Sequence, residues 1–204
     1  MWIYINNPIW LKLNKAKEIF WSKDENLKKK LIETERFKDL QDDSYNFRIE
    51  KWIEKILNWE KIWEDDYNAV YAFELIAKEI WEELPYRQDI KFWIETDYID
   101  EFLIKDFWIN EFENWEMFFG HNTDFFIPKQ KDLPFLWIVP LEELKKYNEI
   151  FFKVNIDKEQ IERLIDSPDE DEEEKWYAYE HIKWIKENIE YCVENWLDMV
   201  IFAY

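Results

Sequence analysis

Apolar residues along this chain switch between a helical spacing of three and four and short continuous runs, and the switches mark out its elements. Residues 2–5 read as a short strand. Asn14 is placed to cap a brief helix through Phe20, and Ser22 with Glu25 makes a capping box for a second helix running to about Leu40. After the polar break Gln41-Asp42-Asp43-Ser44, Ile49, Ile53, Ile56 and Leu57 share one face of a third helix, which Asn58-Trp59 ends. A fourth starts near Asp66 and sets Ala69, Ala72, Phe73, Ile76 and Ile80 on a single stripe, which must be core.

Residues 97–107 hold a shorter helical pattern with Tyr98, Phe102 and Leu103. From Phe112 to Ile127 the pattern turns extended, and Phe118-Phe119 and Phe125-Phe126-Ile127 flank Gly120-His121-Asn122-Thr123-Asp124 as a hairpin would. Pro134 to Val139 reads as a strand, Pro140 suits the first helical position of the segment that follows, and Ile150 to Val154 reads as extended. Asp157 with Gln160 repeats the capping box for a helix with Ile161, Leu164 and Ile165. The acidic run Asp169 to Glu174 then leads a long final helix with Ile182, Ile185, Ile189 and Val193 on one face. Acidic residues complement a helix N-terminus, so a solvated cap explains this run better than a metal site. The chain closes on Met199-Val200-Ile201-Phe202-Ala203-Tyr204, an apolar strand that needs sheet partners, with residues 2–5 as one possibility. The elements predict a single α+β domain over residues 1–204, predominantly helical around a small mixed or antiparallel sheet.

Charge narrows the partners. Forty-seven acidic side chains oppose 27 basic ones, for a net charge of −20. That surplus repels nucleic-acid phosphates and anionic lipid, so a basic protein is the expected partner, with no nucleic acid and no membrane. No apolar run approaches the roughly 18 residues of a membrane span, and the first residues lack the basic start of a signal peptide. A cytoplasmic location is expected. The lone Cys192 excludes an intramolecular disulfide and a cysteine-rich zinc site, which agrees with a reducing compartment.

Composition holds one anomaly, fourteen Trp beside a single Gly. Average usage is about 7% Gly, because helix ends and tight turns need positive φ. Several Trp stand where glycine belongs. Asn58-Trp59, Asn114-Trp115 and Asn195-Trp196 occupy the places of Asn-Gly punctuation, and Trp21 and Trp81 follow helical patterns as a C-terminal glycine would. The expectation is that most Trp are glycines encoded by UGA and misread, with Trp184, inside the last helix, a candidate for a genuine one. The alternative is a tryptophan-rich protein with an aromatic ligand surface or a membrane-interface belt. Such platforms cluster on one face, whereas these residues are scattered singly along the chain.

Catalytic motifs are scarce. Ser22 is accounted for as a cap, and Ser44 and Ser167 lie in polar breaks. Cys192 reads as a partly buried helical residue, and His181, beside Glu180, as a surface or half-buried ring. His121 and Asp124 share the expected loop tip, an arrangement suited to acid–base work or to holding a cation, although Gly120, Asn122 and Asp124 are themselves turn formers and a plain hairpin turn accounts for them. They are the only catalytic candidates, and neither a cofactor nor a metal is expected.

The segment Tyr71-Ala72-Phe73-Glu74-Leu75-Ile76-Ala77-Lys78-Glu79-Ile80-Trp81-Glu82-Glu83-Leu84-Pro85 resembles a bacterial family of about this length known only as a domain of unknown function. Ile127-Pro128, Asp132 to Trp137 and Asn195 to Tyr204 are similar to it as well. The resemblance implies glycine at the places of Trp81, Trp137 and Trp196, and transfers no catalytic residue. Function is therefore expected to be non-enzymatic binding of a basic protein by an immunity-like or regulatory module; the alternative is a hydrolase or small-molecule enzyme using the loop around His121 and Asp124.

Overall fold

A computed structural model describes residues 4–42, 48–81, 84–85, 90–91, 94–112, 117, 126–128, 130, 133–165 and 170–204. Its centre is a four-stranded antiparallel sheet in the order β2-β1-β4-β3, with β1 Tyr4–Leu11, β2 Ile90–Lys91, β3 Phe135–Val139 and β4 Asp198–Ala203. The terminal apolar run is thus an inner strand, hydrogen-bonded to β1 on one side and β3 on the other. β1 is longer than the sequence pattern suggested, and its register on β4 shifts between Asn6 and Ile9. Pro8 lies within that shift, where a residue without an N–H interrupts the ladder least.

Both faces of the sheet are covered. Leu136, Ile138, Val200 and Phe202 point into a core shared with α1 Leu13–Ile19, α2 Glu25–Glu33, α3 Glu35–Asp42, α4 Ile49–Leu57 and α5 Asn68–Ile80. Trp137, Val139, Met199, Ile201 and Ala203 point the other way, toward α6 Ile94–Phe107, α7 Leu141–Phe151, α8 Lys158–Ile165 and α9 Glu170–Glu194. Period-two alternation between two apolar layers explains why β3 and β4 read as continuous hydrophobic runs. The fold is predominantly helical α+β.

The stripes on α4 and α5 pack as expected, except that Ile80 is 40% exposed at the helix end. Ile182, Ile185 and Ile189 of α9 are fully buried. The reciprocal cap at α8 is present, with the Asp157 N–H donating to Gln160 Oε1 at 2.9 Å and the Gln160 N–H to Asp157 Oδ1 at 2.7 Å.

Five local expectations are corrected. Lys12, not Asn14, precedes α1. Asp24 rather than Ser22 caps α2, accepting from the N–H groups of Asn26 and Leu27, and that helix ends at Thr34, whose hydroxyl accepts from the Phe37 N–H and opens α3. Residues 150–151 belong to α7, because Leu144, Tyr147 and Phe151 form one buried helical face. Pro140 is the N-cap of α7; the Leu141 N–H is satisfied from β4 by Asp198 Oδ1 at 2.9 Å.

Among the described residues, six that are not glycine have positive φ: Trp21, Lys23, Arg48, Trp59, Trp108 and Trp196. Trp81 is not one of them. It ends α5 in an extended conformation and is 7% exposed, so its backbone makes no demand for glycine. Trp115 and the expected hairpin loop around Gly120 lie outside the described residues.

Candidate functional site

The layer built from α6 to α9 holds the side chains most suited to recognition. A spacing of four on α9 sets Lys175 and Tyr179 on one face, and the end of α6 brings Asp106 against both. The Tyr179 hydroxyl donates to Asp106 Oδ2 at 2.8 Å, and Lys175 Nζ lies 2.8 Å from the same oxygen. Burial opposes ionisation of Asp106, but the bonds from Lys175 and Tyr179 outweigh it and hold the carboxyl below its usual range. The bond to Asp106 raises the Lys175 ammonium; burial first, and Asp106 second, raise the Tyr179 phenol. At neutral pH the three are therefore carboxylate, ammonium and phenol. In these states Lys175 and Tyr179 are hydrogen-bond donors and Asp106 an acceptor, an arrangement suited to holding a charged or polar group. Beside it opens a depression of about 260 Å³ lined by Gln160, Arg163, Leu164, Glu172, Lys175 and Tyr179.

His181 is 4% exposed, which corrects the surface or half-buried placement. Its Nε2 lies 3.3 Å from Glu95 Oε2 on α6, its Nδ1 is buried with no hydrogen bond among the described residues, and its ring meets Trp184 edge-on at 5.4 Å. Neither His181 nor Glu95 lines the depression beside Tyr179. The couple spans the packed seam of α6 and α9. Next to it, burial raises the Glu180 carboxyl while His181 draws it part of the way back.

Cys192 is fully buried, and burial pushes its thiol up to about 12. A thiolate at neutral pH is therefore negligible, and the residue is core rather than chemistry. In the opposite layer, Glu74 of α5 is 3% exposed and accepts from the Tyr204 hydroxyl, with Lys78 Nζ at 2.7 Å and Arg36 at 3.8 Å. This group fixes the chain's last residue to α5.

His121 and Asp124 lie outside the described residues. The clusters that are described escaped the sequence reading because their partners are distant, Asp106 standing 73 positions from Tyr179 and Glu74 standing 130 from Tyr204. Only the Lys175, Tyr179 spacing was there to be found. Among the described residues no group of three or more His, Cys, Asp or Glu is arranged to hold a metal, and no helix is long and apolar enough to cross a membrane.

Another cavity, about 340 Å³, lies between Phe20, Trp59, Ile62 and Phe126, with Trp59 and Phe126 ring centroids 4.2 Å apart, and a depression of about 420 Å³ opens between Lys12, Lys15, Trp81 and Tyr191. The Trp59 indole forms part of the wall of the first of these, beside Glu60 and Lys61.

A family model described as "Domain of unknown function (DUF7691)" matches residues 4–204. The chain belongs to this family. Searches of the curated proteins and of the solved structures return no match. The DUF7691 description brings no chemistry with it, and a reading of function rests on the charge and geometry of the DUF7691 fold.

Proposed function

We propose that this chain is a non-enzymatic module of the bacterial cytoplasm, immunity-like or regulatory, that docks a basic protein through the face formed by α6, α8 and the first turns of α9. One observation carries the reading. Helix α6, residues 157–165 and residues 170–180 hold fourteen acidic side chains against four basic ones, half of the whole chain's surplus of 20. By contrast, the first 48 residues carry ten basic and eight acidic side chains.

The surplus is therefore lateral, not spread as a demand for solubility alone would spread it. Two of the four bases face acids of the same surface, Lys175 at Asp106 and Lys158 at Glu162. Asp97, Glu101, Glu159, Glu173 and Glu174 are exposed. Helices pack about 8–10 Å apart, close to the Debye length of roughly 8 Å at physiological ionic strength. Acids on adjoining helices accordingly act as one field, which steers a cationic surface and speeds its association.

The test starts from partners captured in the source cell's lysate and proceeds with one purified partner. Glu173→Lys is expected to slow association several-fold and to flatten its salt dependence, while Glu18→Lys on α1 leaves both unchanged. Equal effects of the two reversals, or binding indifferent to salt, defeats the proposal. The hydrolase alternative at His121 and Asp124 has no described geometry to support it.

A further inference from the structure

Tryptophan supplies 14 of 204 residues but four of the six described non-glycine positions with positive φ, at Trp21, Trp59, Trp108 and Trp196. A bulky side chain is a marked outlier there, because its Cβ crowds the backbone, whereas glycine pays nothing for the same angles. All four follow the end of a helix, and the hydrogen bonds name the motif. After α4 the Glu60 N–H donates to the Lys55 carbonyl at 2.8 Å and the Trp59 N–H to that of Ile56 at 3.2 Å. After α9 the Leu197 N–H donates to Cys192 at 2.9 Å and the Trp196 N–H to Val193 at 3.3 Å. This pair of bonds is the Schellman cap, whose left-handed residue is usually glycine.

Trp108 closes α6 with the simpler left-handed cap, its N–H donating to Ile104 at 3.2 Å. At Trp21 the φ of 97° lies beyond the small left-handed well of about +50 to +70° that ordinary residues reach. That geometry is pinned on both sides, since the N–H groups of Trp21 and Lys23 both donate to the Leu57 carbonyl at 3.1 Å.

The indoles recover little in return. Trp21, Trp108 and Trp196 are 65, 79 and 68% exposed, so burial offsets little of the unfavourable backbone there, whereas Trp59, 42% exposed, packs its ring 4.2 Å from that of Phe126. Trp81 makes the contrast, with an extended backbone and a buried ring.

We propose that positions 21, 59, 108 and 196 are glycine in the native protein, because the codon written as tryptophan at these places is UGA read as glycine. The caps favour glycine, the chain otherwise has one glycine in 204 residues, and one reassigned codon accounts for both. The inference stands apart from the docking face, which contains no tryptophan in its argument.

Mass spectrometry of the protein purified from its own cells decides the identity of the four residues. Glycine-containing peptides are expected, and tryptophan at these positions overturns the proposal. A second measurement uses the sequence as written, expressed where the codon gives tryptophan. Trp108→Gly and Trp196→Gly are each expected to raise Tm by about 2–4 °C, and Trp196→Ala to raise it less, since alanine keeps the Cβ. Trp81→Gly is expected to lower it. Glycine that lowers Tm at 108 and 196, or alanine that matches it at 196, counts against a glycine cap whatever the codon.

Discussion

Tyr204→Phe deletes one hydroxyl and leaves its ring stacked on Tyr71, at 5.5 Å between centroids and 22° between planes. It therefore isolates the bond that ties the end of β4 to α5. A hydrogen bond to a charged group contributes about 1.5–3 kcal/mol. Here Glu74 keeps Lys78 at 2.7 Å and Arg36 at 3.8 Å, so its carboxylate is not orphaned by the substitution. The lower part of that range applies, about 1.5–2 kcal/mol. Glu74→Gln keeps the shape but removes the charge. Lys78 and Arg36 have side chains 37 and 46% exposed and turn to water, so the loss is about 2–3 kcal/mol rather than that of a fully buried pair. Urea unfolding of the wild type, both single variants and the double variant measures the coupling, expected at about 1–2 kcal/mol with an unchanged slope. Additivity within about 0.5 kcal/mol refutes the reasoning. The pH dependence gives a second check. Burial, and then the Glu74 charge, raise the Tyr204 phenol well above its ordinary range. A raised folded value means a contribution fully present below the unfolded pKa of about 10 and lost as pH rises through the folded one. Tyr204→Phe should abolish that alkaline loss.

Asp106→Asn is expected to cost about 1 kcal/mol, the discount reflecting side chains 21 and 33% exposed at Asp106 and Lys175. Because its folded carboxyl is held low, the wild-type contribution is present above about pH 3.9 and lost as pH falls through the folded value; acid titration of stability should lose that slope in the variant. Cys192 should resist alkylation in the folded protein at neutral pH and react fully in denaturant, and rapid native labelling contradicts its placement at 0% exposure.

The parts of the fold legible in the sequence are those whose signal is local. Ile49, Ile53, Ile56 and Leu57 announce α4 because a helix repeats its buried face within two turns, and β4 announces itself by a run with no polar interruption. The break between α2 and α3 was hidden because Thr34 resembles an interior helical residue until its hydroxyl is seen capping Phe37. Ile150 to Val154 has strand composition, yet Leu144, Tyr147 and Phe151 had already committed the face of α7. His181 was misjudged by its charged neighbours, although it adjoins Ile182 and lies on the flank of the face carrying Ile185 and Ile189. The site was less legible still. Forty-seven carboxylates give no hint that Asp106 meets Tyr179 or that Glu74 meets Tyr204, since those pairings exist only after helices from distant segments pack.

The identity of four residues decides which concave surface is available to a ligand. The Trp59 indole is one wall of the cavity between Phe20, Ile62 and Phe126, and Trp21 closes on that indole at 5.6 Å. With glycine at 21 and 59 both indoles vanish while the Phe20 and Phe126 rings, 4.8 Å apart, remain, so the indole part of that wall is a property of the codon reading and not of the fold. The depression beside Tyr179 has no such dependence, because Gln160, Arg163, Glu172, Lys175 and Tyr179 are unaffected by it. Glycine at 108 would remove a ring 79% exposed beyond the end of α6 and leave Asp106 bonded to Lys175 and Tyr179. The charge asymmetry is equally indifferent, as neither tryptophan nor glycine carries charge. Function argued from the acidic face therefore survives either reading of the gene, whereas function argued from exposed aromatic rings survives only one.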